Sequence, residues 1–132
     1  MKSLPADDPP RLRLGTALKC RREPYHRCVI VSDPEQNGGY IVLLRLTSAT
    51  GKCRDRDCIL TPQDWSELDH DSTVAYSTAL CGRAEAELIQ AIGTGEFEVI
   101  PAPPFDTLRR IIAAGRTAEG MPPKAQAFLA PI

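Results

Sequence analysis

The sequence has no long apolar run, and this absence excludes several classes of protein. No stretch approaches the ~20 apolar residues that a membrane-spanning helix needs. The opening residues, MKSLPADDPP, lack the apolar segment of a signal peptide. We therefore expect a cytoplasmic protein that does not associate with a membrane. The five cysteines, an odd number, agree with a compartment in which thiols stay reduced.

The sequence also lacks the common motifs of cofactor and nucleotide binding. It contains no glycine-rich phosphate loop, no G-x-S-x-G motif of a serine hydrolase and no calcium-loop spacing. Cys53 and Cys58 have four residues between them, but no second pair or suitably spaced histidine completes a zinc site. We therefore expect neither a metal nor a cofactor.

Net charge is nearly absent, since the formal value is −1, so only a local basic surface would attract a nucleic acid. The segment 11–27 is a candidate for such a surface, because it contains six basic residues and one acid. It is either a solvated strand edge or a strip that faces phosphates. The basic residues of this segment are Arg11, Arg13, Lys19, Arg21, Arg22 and Arg27.

The length of 132 residues and the apolar fraction of 42% predict one folded domain. We divide it into a proline-rich, flexible lead-in (1–10), a body of short strands (11–100) and a C-terminal helical extension (101–132). Strands are predicted at 11–21, 26–32, 40–47, 58–60, 72–78 and 97–100, and helices at 61–68, 83–92, 107–114 and 123–129. A turn at Asn37-Gly38-Gly39 joins the two most apolar strands. This order predicts a mainly β fold with α-helices, a small open barrel with C-terminal helices.

The two histidines of the chain, His26 and His70, both lie at predicted strand ends. Two imidazoles with pKa values near neutrality suit general acid–base chemistry on a phosphodiester. A nearby cation would stabilise the developing charge, and Arg27, Arg45 or Lys52 could supply it. The alternative is that both histidines are ordinary loop residues.

Hydroxyl and aromatic side chains are the other candidates for binding. Thr47 and Ser48 close the second apolar strand, where they either bind a phosphate or cap the strand end. Three tyrosines and the tryptophan can stack on bases, although the tryptophan is better explained as a core anchor. These aromatic residues are Tyr25, Tyr40, Tyr76 and Trp65.

The order of these motifs resembles a histidine-bearing branch of the MazF/PemK-like toxin family over residues 24–129. The resemblance implies an SH3-like open β-barrel of the MazF/PemK/CcdB type, often a homodimer. It also implies a metal-independent endoribonuclease that cleaves single-stranded RNA and is neutralised by an antitoxin protein. The matching segments are 26–34 (HRCVIVSDP), 40–48 (YIVLLRLTS), 58–60 (CIL), 70–74 (HDSTV) with Tyr76, and 108–112 (LRRII).

The resemblance also implies roles for individual residues. Thr47 matches the family's threonine, whereas His26 occupies the position of the family's arginine and Arg27 follows it. Because adjacent side chains on a strand point to opposite faces, Arg27 cannot simply replace that arginine. Either His26 serves in acid–base chemistry or the ribonuclease activity is altered or lost. The implied catalytic residues are His26, Thr47 and His70, and the implied RNA-binding residues are Arg27, Arg45, Ser48, Lys52, Ser72 and Tyr76.

Two further functions stay open at this point. The first is a non-catalytic module that binds a protein or a nucleic acid on the same barrel. The second, which the cluster of polar residues at strand ends disfavours, is a purely structural subunit. An antitoxin is expected to cover the RNA-binding face with an acidic or helical tail.

Overall fold

The computed structural model describes residues 12–22, 26–82 and 85–132, and its centre is one antiparallel sheet of seven strands. The predicted lead-in at 1–10 lies outside the described residues. The spatial order of the strands is β4-β5-β3-β2-β1-β7, and β6 pairs with the first part of β3. The strands are β1 (Ala17–Cys20), β2 (Arg27–Ile30), β3 (Val42–Ser48), β4 (Ile59–Leu60), β5 (Ser72–Val74), β6 (Leu80–Cys81) and β7 (Phe97–Ile100).

The two ends of this sheet do not pair with each other within the described part of the chain, so it is not closed into a barrel. The fold is therefore mainly β, as predicted, with short helices around the sheet. These helices are α1 (Pro34–Asn37), α2 (Glu85–Gly93), α3 (Phe105–Thr117) and α4 (Pro123–Gln126). None of them is long and apolar enough to cross a membrane.

Both faces of the sheet are apolar, because alternate residues of β2 and β3 contribute to two different cores. Val29 and Leu44 pack with α3 and with the loop residue Trp65 on one face. Cys28 and Leu43 pack with α2 on the other face. The sheet is therefore covered on both sides, which explains why its central strands are nearly continuous apolar runs.

The pairing of β2 with β3 was the firmest prediction from the sequence, and the structure confirms it. Arg27 pairs with Leu46, and Ile30 pairs with Leu43. The connection is longer than a simple hairpin turn, since residues Pro34–Asn37 form α1 and Gly38 ends it with a left-handed φ of 83°.

Other elements differ from the prediction. The first strand covers only Ala17–Cys20, because Gly15 has a φ of 91° and interrupts the extended backbone. The helix predicted at 61–68 is a series of turns, and the strand predicted at 72–78 ends at Val74 and is followed by a 3-10 turn at Tyr76–Thr78. The helices predicted at 83–92, 107–114 and 123–129 are present as α2, α3 and α4 with shifted ends, although positions 83 and 84 lie outside the described residues.

Candidate functional site

A cavity at one end of the sheet collects most of the polar residues that the sequence singled out. We call it the first cavity. It lies where β2 begins and β3 ends, next to the loop that precedes β5. It is therefore built from strand ends, as the sequence predicted. Its lining residues are His26, Arg27, Leu46, Thr47, Ser48, Leu68, His70 and Ser72.

The protonation state of His26 follows from its contacts. Its Nδ1 lies 3.2 Å from the carbonyl oxygen of Leu46. Since a carbonyl oxygen only accepts, Nδ1 carries a proton and donates it, which leaves the Nε2 lone pair of the neutral ring free. Burial lowers the pKa of His26, and the nearby Arg45 lowers it further, against a smaller opposing effect of the Leu46 carbonyl. His26 is therefore a neutral imidazole at pH 7, which is the state that a general base requires.

His70 is paired with a carboxylate. Its Nδ1 lies 2.5 Å from Oδ1 of Asp69, and about half of the His70 side chain is exposed. The hydrogen bond to His70 lowers the pKa of Asp69, and the charge of Arg27 lowers it as well. Asp69 thus stays ionised near neutrality and holds the ring of His70 through this hydrogen bond. The two histidines of the cavity therefore have different environments, one beside a cation and the other beside an anion.

Arg27 lines the same cavity as His26, although the two residues are adjacent on the chain. Adjacent side chains on a strand point to opposite faces. This rule does not apply to His26 and Arg27, because His26 precedes the first residue of β2. The Nε atom of Arg27 is buried and has no hydrogen-bond partner among the described residues. A buried, unpartnered donor on a cation is a favourable place for an anionic group of a ligand.

The hydroxyl groups of the first cavity differ in availability. Thr47 makes no side-chain hydrogen bond with the described residues, so its hydroxyl is free to contact a ligand. Ser48 instead interacts with Thr50, through Oγ–Oγ1 at 3.0 Å and through the Thr50 amide at 3.3 Å. Ser72 donates to the carbonyl oxygen of His70 at 3.0 Å. Ser48 and Ser72 therefore have structural contacts that shape the loops of the cavity.

A second cavity adjoins the first and shares His26 and Thr47 with it. Its distinctive feature is three cations, Arg45, Lys52 and Arg54. The sequence had suggested Arg45 and Lys52 as phosphate-binding residues, but it had missed Arg54. The remaining lining residues are Cys53, Ala75, Ser77 and Thr78.

Tyr76, by contrast, is not available to a substrate. Its side chain is fully buried, and its hydroxyl donates to the carbonyl oxygen of Ile111 in α3 at 2.6 Å. It lines neither cavity. The expectation that Tyr76 binds RNA is therefore corrected, because the end of β5 turns this side chain into the core. Trp65 is also in the core, as predicted, and its Nε1 donates to the carbonyl oxygen of Pro101.

The loop that carries Lys52 and Arg54 is held by a buried carboxylate that the sequence analysis had missed. Oδ2 of Asp55 accepts a hydrogen bond from the hydroxyl of Ser77 at 2.7 Å, and a longer one from the Ser77 amide. The Asp55 backbone carbonyl accepts from the Thr73 hydroxyl at 2.6 Å. The chain around Asp55 alternates in charge (KCRDRD), which is typical of a solvated loop, so the pattern gave no sign that one carboxylate is buried.

The described residues contain no group of three or more histidine, cysteine or acidic side chains that could hold a metal ion. The described cysteines form no disulfide bond, and Cys58 is buried in the core. Comparisons of the chain with protein-family models, with curated proteins and with solved structures find no match.

Proposed function

We propose that this chain is a toxin-like endoribonuclease of the MazF/PemK-like family that cleaves single-stranded RNA without a metal. The observation that carries the proposal is the composition of the first cavity. A neutral His26, the Asp69–His70 pair and Arg27, whose buried Nε has no hydrogen-bond partner among the described residues, line or adjoin one cavity beside the hydroxyl of Thr47. Base, acid and cation are the three groups that cleavage of RNA by its own 2′-hydroxyl requires.

The reaction proceeds by transfer of two protons. Nε2 of His26 takes the proton of the ribose 2′-hydroxyl, and the 2′-oxygen forms a bond to phosphorus. The bond from phosphorus to the 5′-oxygen breaks, and protonated His70 gives its proton to that leaving oxygen. The products are a 2′,3′-cyclic phosphate and a 5′-hydroxyl. Arg27 and the Thr47 hydroxyl bind the phosphate oxygens, on which negative charge increases in the transition state.

The proposal accounts for the departure from the family's arginine position. His26 stands where the best-known members of the family have arginine, and Arg27 lines the same cavity one residue later. The cationic role therefore passes to Arg27, and His26 is left for proton transfer. The fold proposed with this function is an open SH3-like barrel of the MazF/PemK/CcdB type. The proposed assembly is a cytoplasmic homodimer, and the proposed partner is an antitoxin protein.

The test is cleavage of an end-labelled single-stranded RNA in the presence of EDTA, with mass spectrometry of the product ends. We expect His26→Gln and His70→Gln each to lower kcat/KM by about 10²–10⁴-fold, the usual contribution of a general base or acid. Arg109→Gln, an exposed position of α3 outside both cavities, is the control and should cleave like the wild type. Full activity of both histidine variants would show that the assigned chemistry is wrong.

The alternative function is a non-catalytic module that binds a protein or a nucleic acid. The observation in its favour is the second cavity, whose cations bind an anion without any proton transfer. Wild-type protein that binds single-stranded RNA but yields no cyclic phosphate would support this alternative.

A further inference from the structure

The charged side chains that line the second cavity are all basic. Arg45, Lys52 and Arg54 line it, and no lining residue is acidic. The whole chain, however, has 17 acidic residues against 16 Lys and Arg. Like charges on one concave surface repel one another. An anion bound between them would remove this repulsion.

These three cations have no ion pair or hydrogen bond within the described part of the chain. Several other arginines are engaged, which shows that carboxylates and carbonyls are available as partners elsewhere in the structure. The engaged residues and their partners are Arg21 with Glu98, Arg110 with Asp64, Arg56 with the Ala49 carbonyl, and Arg116 with the Ala130 carbonyl.

Two hydroxyl groups of the second cavity, those of Ser77 and Thr78, already donate to protein oxygens and are not available as donors to a ligand. Ser77 donates its proton to Asp55 at 2.7 Å, and Thr78 donates to the carbonyl oxygen of Ala75 at 3.1 Å. The cations and the shared Thr47 are the donors that remain, and this combination favours an anionic ligand.

The position of the cations is fixed by the loop that carries two of them. Lys52 and Arg54 lie between the turn at Ser48–Gly51 and the buried carboxylate of Asp55. The amide of Ala49 donates to the carbonyl oxygen of Asp71, which ties the start of the loop to the residue that precedes β5. A loop held at both ends loses little conformational entropy when a ligand binds.

The two cavities adjoin, because they share His26 and Thr47. The first measures about 250 Å³, below the roughly 300–1,000 Å³ of a site that encloses a whole small molecule, and the second, at about 410 Å³, lies near the lower end of that range. A single-stranded RNA that runs past His26 and Thr47, which line both cavities, would occupy both of them.

We propose that the second cavity binds the phosphate next to the one that is cleaved in a single-stranded RNA. This inference rests on the proposed function, since it places the scissile phosphate in the first cavity. It adds Arg54 to the RNA-binding residues and assigns Lys52 and Arg45 to the neighbouring phosphate. RNA with more than one phosphate is then the preferred substrate.

The test is the salt dependence of binding to a 2′-O-methyl RNA of ten nucleotides, which cannot be cleaved because it lacks the attacking hydroxyl. We expect the double variant Lys52→Gln/Arg54→Gln to lower the slope of log K against log[salt] by about 0.7, since both side chains contact one phosphate and each neutralised phosphate on a single strand contributes about 0.7. The matched control is Arg109→Gln/Lys124→Gln, which removes the same charge from exposed positions outside both cavities. Its slope should equal that of the wild type.

An unchanged slope in the Lys52/Arg54 variant, or an equal fall in the control, would overturn the inference. All four positions are exposed, so we expect little effect on folding, which a melting curve checks. Cleavage of unmodified RNA by the wild type is measured in parallel. Cleavage with an unchanged slope refutes the second phosphate site alone. A reduced slope without cleavage refutes the proposed chemistry and leaves this site as a binding site.

Discussion

Gly115 is the position where the structure makes its sharpest prediction about stability. It lies near the end of α3 and is buried against the ring of Tyr76. A Cβ atom added there would lie 3.1 Å from Cε1 of Tyr76 and 3.3 Å from Cδ1 of Leu129. The tyrosine cannot move away easily, because it is fully buried and its hydroxyl is bonded to the Ile111 carbonyl.

Two opposing effects decide the outcome of Gly115→Ala. Replacing a helical glycine by alanine stabilises a helix by up to about 1 kcal/mol. Overpacking a buried site costs about 1–3 kcal/mol. We therefore expect Gly115→Ala to lower the free energy of unfolding by about 1 kcal/mol, which corresponds to a decrease in Tm of about 3–5 °C in a domain of this size.

Gly93→Ala is the matched control, since Gly93 also ends a helix but has no atom within 4 Å of an added Cβ. That variant should be more stable than the wild type by up to about 1 kcal/mol. Urea titrations of the three proteins measure both differences. If Gly115→Ala is as stable as Gly93→Ala, the close contact with Tyr76 does not restrict this site and the reasoning fails.

Two further predictions concern the cavities. Arg45→Gln should raise the pKa of His26 because it removes a nearby positive charge. An NMR titration measures this pKa, and the His70→Gln variant assigns the two histidine signals. An unchanged pKa of His26 would refute the electrostatic role of Arg45. Since the pKa of His26 is lowered on folding, its contribution to stability is complete above pH 6.5 and is lost as the pH falls through its folded-state value. Asp55→Ala should destabilise the protein by about 1–3 kcal/mol because the amide and hydroxyl of Ser77 lose their acceptor. Asp55→Asn keeps an acceptor oxygen and should cost less, and equal urea midpoints of the two variants would contradict this.

The central part of the fold could be predicted because local signals agree with the final packing. The apolar segments 26–32 and 40–47 contain the paired strands β2 and β3, and the amphipathic 107–114 segment lies within α3. The residues at 61–64, where the sequence predicted the start of a helix, form a turn in which Asp64 accepts from the Thr61 amide and the Thr61 hydroxyl accepts from the Gln63 amide. No helix follows, however, because Trp65 enters the core and bonds to Pro101. That contact depends on the distant C-terminal segment, which local sequence patterns do not report.

The sequence indicated which types of residue form the candidate site. It did not indicate that these residues line two separate cavities. On the face that packs with α2, the apolar core ends at Cys28, and Arg45 is its partner on β3. His26 and Thr47 come one register step beyond the paired residues Arg27 and Leu46, where the pairing of β2 with β3 ends while β3 continues to Ser48 beside β5. Both residues line the first cavity together with Arg27 and Leu46, and both line the second cavity together with Arg45. Strand alternation alone would place Arg45 and Leu46 on opposite faces. In the proposed reaction, this position would allow His26 to act at the bond that is cleaved and also to contact the RNA segment bound beside it.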